Sequence, residues 1–285
     1  MPYVLTQILS QLPLLLLASF VGVTLFEPSV RSNGLVVFGL CLVLAPAISF
    51  ASLYVYRRIN TSFGVSLVTK SSSLRAVFFG VVLSTLTLGV LLLSFYFLGA
   101  ISFAWPKVSL VQVTIGAGLA FLSAPIEEVI FRGVLQRKLT GRFGAPAAIV
   151  VSAFLFSLAH LSNPGSGVQS LILVAAFSSV LLGATYWITG SLLASVAAHF
   201  AWNFLMFGFV GGSVSGFASE GAIVMNQNIG DLLSGSIFGI EASVLCPVAS
   251  LLSFVFLCKL LGQRHVPYVG EATSRPGSAS AGSSL

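Results

Sequence analysis

Six residues in the middle of the chain have types and spacings that could do acid–base chemistry: Glu127, Glu128 and Arg132, then His160, then His199 and Asn203. Glu128 and Arg132 stand four apart, so on a helix they share a face and can form an ion pair that offsets the cost of burying either alone. Glu127 is turned by about 100° from Glu128. The two carboxylates therefore point different ways, and one can serve chemistry while the other anchors the helix. His199 and Asn203 are also four apart and present an imidazole and an amide to a common point. A carboxylate and an imidazole can each take up and release a proton, and an amide can donate a hydrogen bond. Pro125 lies just before the two glutamates, where it loosens the backbone ladder and lets water or substrate approach.

The elements that must position these residues are membrane helices. Of 285 residues, 56% are hydrophobic and 7% charged, and the mean hydropathy is +1.04. So few charges cannot cover the surface of a water-soluble domain. A spanning helix needs about 20 apolar residues. Apolar runs between polar punctuation predict eight helices, over 5–26, 34–56, 75–101, 110–136, 145–161, 168–188, 190–210 and 237–261. The expected fold is all-α, a polytopic transmembrane bundle occupying 1–261, with its functional core at about 110–210 and a disordered cytoplasmic tail over 262–285 that lacks the apolar content to order itself. The run Leu12 to Phe26 has no basic region before it and is read as a first span, not a removed signal. Cys41, Cys246 and Cys258 fall in apolar runs without CxxC spacing and are read as packing residues.

The net charge of +6 belongs to topology. Eight spans put both termini on one side, together with Arg57, Arg58, Lys70, Arg75, Arg137, Lys138, Arg142, Lys259, Arg264 and Arg275, against Arg31 and Lys107 on the other. The positive-inside rule makes that side cytoplasmic and the protein an integral, multi-pass one. No basic stripe or aromatic-interleaved patch suits nucleic acid, so no nucleic-acid partner is expected. The loop from Gly211 to Ser236, rich in Gly and Ser and free of Lys and Arg, falls on the opposite side, where it caps the bundle or moves freely.

Ionisable groups at membrane depth are expensive and face the bundle interior. A lone buried His or Asn there is commonly interhelical glue, and the Glu128 and Arg132 pair could be purely structural. Six such residues together, in three helices otherwise nearly free of charge, favour a functional site. At 1.5 Å per residue, Glu127 lies about 15 Å from Arg137 and His199 about 14 Å from Gly190, which agree, whereas His160 lies about 22 Å from Ala145. The fifth helix must therefore tilt or begin later for His160 to meet the others.

The stretch EEVIFRGVLQ, with Glu127, Glu128 and Arg132, resembles the EExxxR motif of the CPBP family, the CAAX proteases and bacteriocin-processing enzymes, also called the Abi family. FSLAH, ending at His160, is similar to its FxxxH motif, and HFAWN, from His199 to Asn203, to its HxxxN motif. Three motifs in the expected order in successive hydrophobic helices make the resemblance specific. It covers roughly 110 to 210. It implies an intramembrane endopeptidase, glutamate-dependent or metal-assisted, acting on a membrane-anchored protein or peptide. In the metal-free version Glu127 takes a proton from a water oriented by His160, His199 and Asn203 stabilise the oxyanion, and Arg132 holds Glu128. In the metal version His160, His199 and Glu127 bind Zn²⁺, which activates the water. The set lacks HExxH spacing, so the metal-free version is preferred. Membrane lipids are the other expected partner. Two further classes remain open: a non-catalytic scaffold or immunity protein that keeps the motifs for packing, and a proton-coupled transporter using the carboxylates as a relay, although no internal repeat is visible.

Overall fold

The computed structural model describes residues 2–62, 73–103, 109–219, 223–225 and 230–262. The stretch expected to form a disordered tail lies almost wholly outside the described residues, as do Lys70, Lys107, Arg264 and Arg275.

Within them the chain is a helical membrane bundle. Six helices are long and apolar enough to cross a membrane: α1 (Pro2–Thr24), α2 (Gly34–Ser62), α3 (Ser73–Phe97), α4 (Leu110–Phe143), then, after α5, α6 (Val168–Thr189) and α7 (Leu192–Val210). The shorter apolar helices are α5 (Ala145–Leu158) and α8 (Leu245–Leu260). These eight match the eight apolar runs of the sequence in order. Ends differ where local chemistry overrides hydropathy. Helix α4 runs on through the basic residues to Phe143 and stops at Gly144, whose φ of 79° no ordinary helix residue adopts. Helix α8 starts at Leu245, later than hydropathy implies, because Gly235 and Gly239 (φ 77° and 118°) break the preceding stretch into short 3₁₀ turns.

Burial separates centre from rim. The apolar window of α4 is 67% buried and that of α7 61%, against 22% for α1 and 28% for α2. The rim helices turn Leu16, Phe20 and Phe50 outward, the surface expected to meet lipid. Helix α7 packs on α3 and α4, and α8 packs on α3. Close approach is secured by small residues, as is usual where lipid offers no hydrophobic drive to association. A Cβ on Gly80 of α3 would lie 2.1 Å from the Ala194 carbonyl oxygen of α7, and one on Gly116 of α4 would lie 2.6 Å from the Gly208 nitrogen. These contacts fix the register of α7 against its neighbours and hence the height of His199.

Buried polar side chains pin the rim to the centre. Gln11 Nε2 donates to the Ser52 carbonyl while Ser52 Oγ donates to Gln11 Oε1 at 2.6 Å, and Tyr56 Oη donates to the Gly133 carbonyl at 3.1 Å, next to Arg132. Four π-helical stretches interrupt the described helices, at 40–44, 129–136, 179–184 and 206–210. Each adds a residue to a turn, a feature that recurs at functional sites, and two of them directly follow Glu128 and the turn after Asn203.

The Gly- and Ser-rich loop is built rather than free where it is described. Strands β2 (Gly212–Val214) and β3 (Phe217–Ser219) form a hairpin. Its two-residue turn, Ser215 and Gly216, has φ of 49° and 87°, the left-handed pair that tight hairpins require. Strand β1 (Ile101–Phe103) pairs antiparallel with β4 (Ile223–Met225). The hairpin turn is seated, with Gly216 N–H donating to the Phe238 carbonyl at 2.8 Å.

Candidate active site in the bundle interior

Glu128 and Arg132 are fully buried, and Arg132 Nη1 donates to Glu128 Oε1 at 2.9 Å. The guanidinium also donates from Nη2 to the Ser178 carbonyl at 3.3 Å and sits 4.6 Å above the Phe156 ring. Two groups of α7 complete the carboxylate. His199 Nδ1 lies 3.0 Å from Glu128 Oε1, and Ser195 Oγ donates to Glu128 Oε2. Ser195 and His199 are themselves four apart, so one face of α7 meets one face of α4 through a single carboxylate. A buried charge is tolerable only when paired and hydrogen-bonded. Glu128 is both.

Glu127 is its opposite. Its side chain is 20% exposed, and Oε2 has no hydrogen-bond partner among the described residues. That oxygen lies 3.8 Å from His199 Nε2, too far for a hydrogen bond. With Nδ1–H held by Glu128, the imidazole is fixed in orientation and its second nitrogen is turned toward Glu127.

Asn203, a turn further along α7, is nearly buried and donates from Nδ2 to Ser123 Oγ at 2.9 Å. Ser123 lies one turn before Glu127 on α4. His160 follows the end of α5 in a turn, half-buried, with Nδ1 2.9 Å from the Phe156 carbonyl. The Phe156 ring packs against both imidazoles, 4.8 Å from His160 and 5.8 Å from His199, and edge-on against Phe131 at 5.3 Å.

The structure thus gathers Glu127, Glu128, Arg132 and His199 into one cluster, sets Asn203 beside it, and places His160 against the same aromatic ring. The zinc set of His160, His199 and Glu127 is not assembled: no group of three or more His, Cys, Asp or Glu side chains close enough to hold a metal occurs among the described residues. A catalytic zinc takes three protein ligands, and Glu128, with Nδ1 of His199, is already committed to the Arg132 network. The donor set in this arrangement does not fit the ion.

A cavity of about 20 Å³ adjoins the cluster, lined in part by Phe156, His199, Trp202, Asn203, Ser215 and Glu241. That is room for a water, which needs about 10–15 Å³. Several residues here are absent from the sequence reading. Ser195 and Ser123 are ordinary serines until the helices are docked, although each stands one turn from a motif residue. Glu241 is 5% exposed. It is one of only seven acidic residues, set in a predominantly apolar run, and that alone is the signal that could have found it.

A family model described as Rce1-like, type II CAAX prenyl endopeptidase Rce1-like, matches residues 109–205. This is the family to which the three motifs pointed, over nearly the same stretch. Comparison with curated proteins and with solved structures returned no match.

Proposed function

With residues 109–205 matching the Rce1-like type II CAAX prenyl endopeptidases, we propose that this membrane protein is an intramembrane endopeptidase whose base is Glu127. The observation that carries the reading is the contrast between adjacent carboxylates: Glu128 is sealed and takes donors from three side chains, while Glu127 offers a bare oxygen 3.8 Å from His199 Nε2.

In this mechanism a water lies between Glu127 Oε2 and His199 Nε2. The cluster of Glu127, Glu128, Arg132 and a doubly protonated His199 sums to zero charge, which suits a site removed from bulk water. Nε2–H then donates to the water oxygen while Glu127 accepts its proton, and the hydroxide adds to the scissile carbonyl. The oxyanion accepts from His199 Nε2–H and from Asn203 Nδ2–H, the amide turning from Ser123 toward it. Glu127 hands its proton to the departing amine, and the carbon–nitrogen bond breaks. Arg132 holds Glu128, which holds His199. His160, half-buried against the Phe156 ring that also packs on His199, helps to orient that water. The substrate is a membrane-anchored protein or peptide, and a prenylated CAAX peptide is the first to try.

The test is cleavage of membrane-anchored peptides, prenylated and not, by the full chain in proteoliposomes before and after chelator treatment. Cleavage that survives the chelator is expected. Loss restored by added zinc would overturn the metal-free assignment, and no cleavage of any peptide would overturn the protease reading. We also place both termini in the cytoplasm, from the basic residues flanking α2 to α5 and α8. A C-terminal reporter active only outside the cytoplasm should stay silent, and a signal from it would reverse the orientation.

A further inference from the structure

Glu241 lies outside the matched segment and outside the mechanism, yet its carboxylate is buried at the edge of the cavity that His199 and Asn203 line. A carboxyl group buried there needs partners for both oxygens, and it has them. Oε1 accepts from the Ser215 backbone N–H at 2.6 Å and from Ser215 Oγ–H at 2.7 Å, and Oε2 accepts from Trp202 Nε1–H at 3.2 Å. Trp202 stands between His199 and Asn203 on α7 and packs on Phe177 at 4.6 Å. Ser215 is the turn of the hairpin, in a left-handed conformation (φ 49°) that a non-glycine residue adopts only at a cost.

Ser215 also has a third tie. Its carbonyl accepts from Asn163 Nδ2–H at 2.8 Å, and Asn163 N–H in turn donates to the His160 carbonyl at 3.0 Å. A continuous chain of hydrogen bonds therefore runs from the His160 turn, through Asn163 and Ser215, to Glu241, and on to Trp202. It joins the element that carries one motif histidine to the helix that carries the other. Helix α5 ends two residues before His160, whose N–H still donates to the Ser157 carbonyl at 3.0 Å, so the end of the helix holds one side of this turn. The chain of bonds through Asn163 holds the other.

We propose that Glu241 is a positioning residue of the site: through Ser215 and Asn163 it holds the His160 turn in register with His199 and Asn203 on α7. The assignment rests on the protease reading for its effect on rate, while its structural half stands apart from it. Misplacing a catalytic group by about 1 Å can cost about 10²-fold in rate. For Glu241→Ala the expected result is a fall in kcat of about 10²-fold with KM within about twofold. Glu241→Gln keeps an oxygen for Ser215 but sets its NH2 against Trp202 Nε1–H, so it should recover only part of that loss. Asn163→Ala, at the half-buried end of the chain of bonds, should lower kcat in the same way in a protein that folds normally, so the proposal remains open to refutation where Glu241→Ala does not fold.

Amide hydrogen exchange on the same proteins in proteoliposomes gives the second readout. Protection over 159–166 and 211–217 should fall in Glu241→Ala and Asn163→Ala and persist in Glu241→Gln, with the rest of the bundle unchanged. Unaltered kcat in Asn163→Ala, or unaltered protection of the His160 turn in both variants, would overturn the proposal. Wild-type protein that cleaves no peptide would instead remove the protease reading, and the exchange comparison would still decide whether Glu241 holds the turn.

Discussion

Glu127→Gln should leave a folded protein that no longer cleaves, with a loss of about 10² to 10⁴ in kcat, the range for removal of a general base. The loss should appear in kcat and kcat/KM alike, because proton transfer to Glu127 occurs only on the way to the transition state. Folding should be spared for a reason visible in the site. Glu127 is partly exposed, and its free oxygen supports no other side chain. Replacing it by an amide of the same shape breaks no hydrogen bond to another side chain, and the cluster stays neutral with His199 holding one ring proton instead of two, so thermal unfolding in detergent should shift little. Activity near that of wild type would remove Glu127 from the mechanism.

The neighbouring position should behave in the opposite way. Glu128→Ala takes the partner from Arg132, which is 0% exposed and whose Nε already lacks a hydrogen bond. It also frees His199 Nδ1 and Ser195 Oγ. Breaking a buried ion pair from one side costs about 3–5 kcal/mol, against a total stability of about 5–15 kcal/mol for a typical protein. A large drop in unfolding temperature or failure to accumulate is expected. The double replacement Glu128→Leu with Arg132→Met removes both charges and should recover much of the stability, since a buried pair replaced as a unit is often neutral. It should not recover cleavage, because nothing then fixes the His199 ring. Stability regained without activity separates the two jobs of Glu128. If Glu128→Ala unfolds like wild type, the pair does not hold the bundle.

The two predictions divide along lines that the sequence showed in part. Spacing of four put Glu128 with Arg132, and the two meet at 2.9 Å. The membrane class and the order of the eight apolar elements also followed from hydropathy alone. What crosses between helices did not. The bonds from His199 and Ser195 to Glu128, and from Asn203 to Ser123, depend on how high α7 sits beside α4. That height is set by backbone contact at Gly80 and Gly116, where any side chain would collide, and by π turns that rotate the faces of α4 and α7 out of regular helical phase. No single-helix projection contains either effect.

His160 shows the same limit from another side. Counting 1.5 Å per residue from Ala145 assumes one helix to its end, but α5 stops at Leu158 and His160 lies in the following turn. That turn is tied through Asn163 to a hairpin more than fifty residues later in the chain, a contact that no local pattern encodes. Glu241 was hidden differently. An acidic residue within an apolar run invites the question of what it pairs with, and the partners, Ser215 and Trp202, are of types that carry no charge signal of their own.

The most direct test of Glu127 as the water-activating base is a paired time course, by mass spectrometry, of a membrane-anchored CAAX peptide incubated with wild-type protein and with Glu127→Gln in matched proteoliposomes. Wild type should release a product cut at one peptide bond, and the glutamine variant, inserted at equal density and unfolding at the same temperature, should release none above the enzyme-free rate. Release of the same product by both at similar rates would contradict the account.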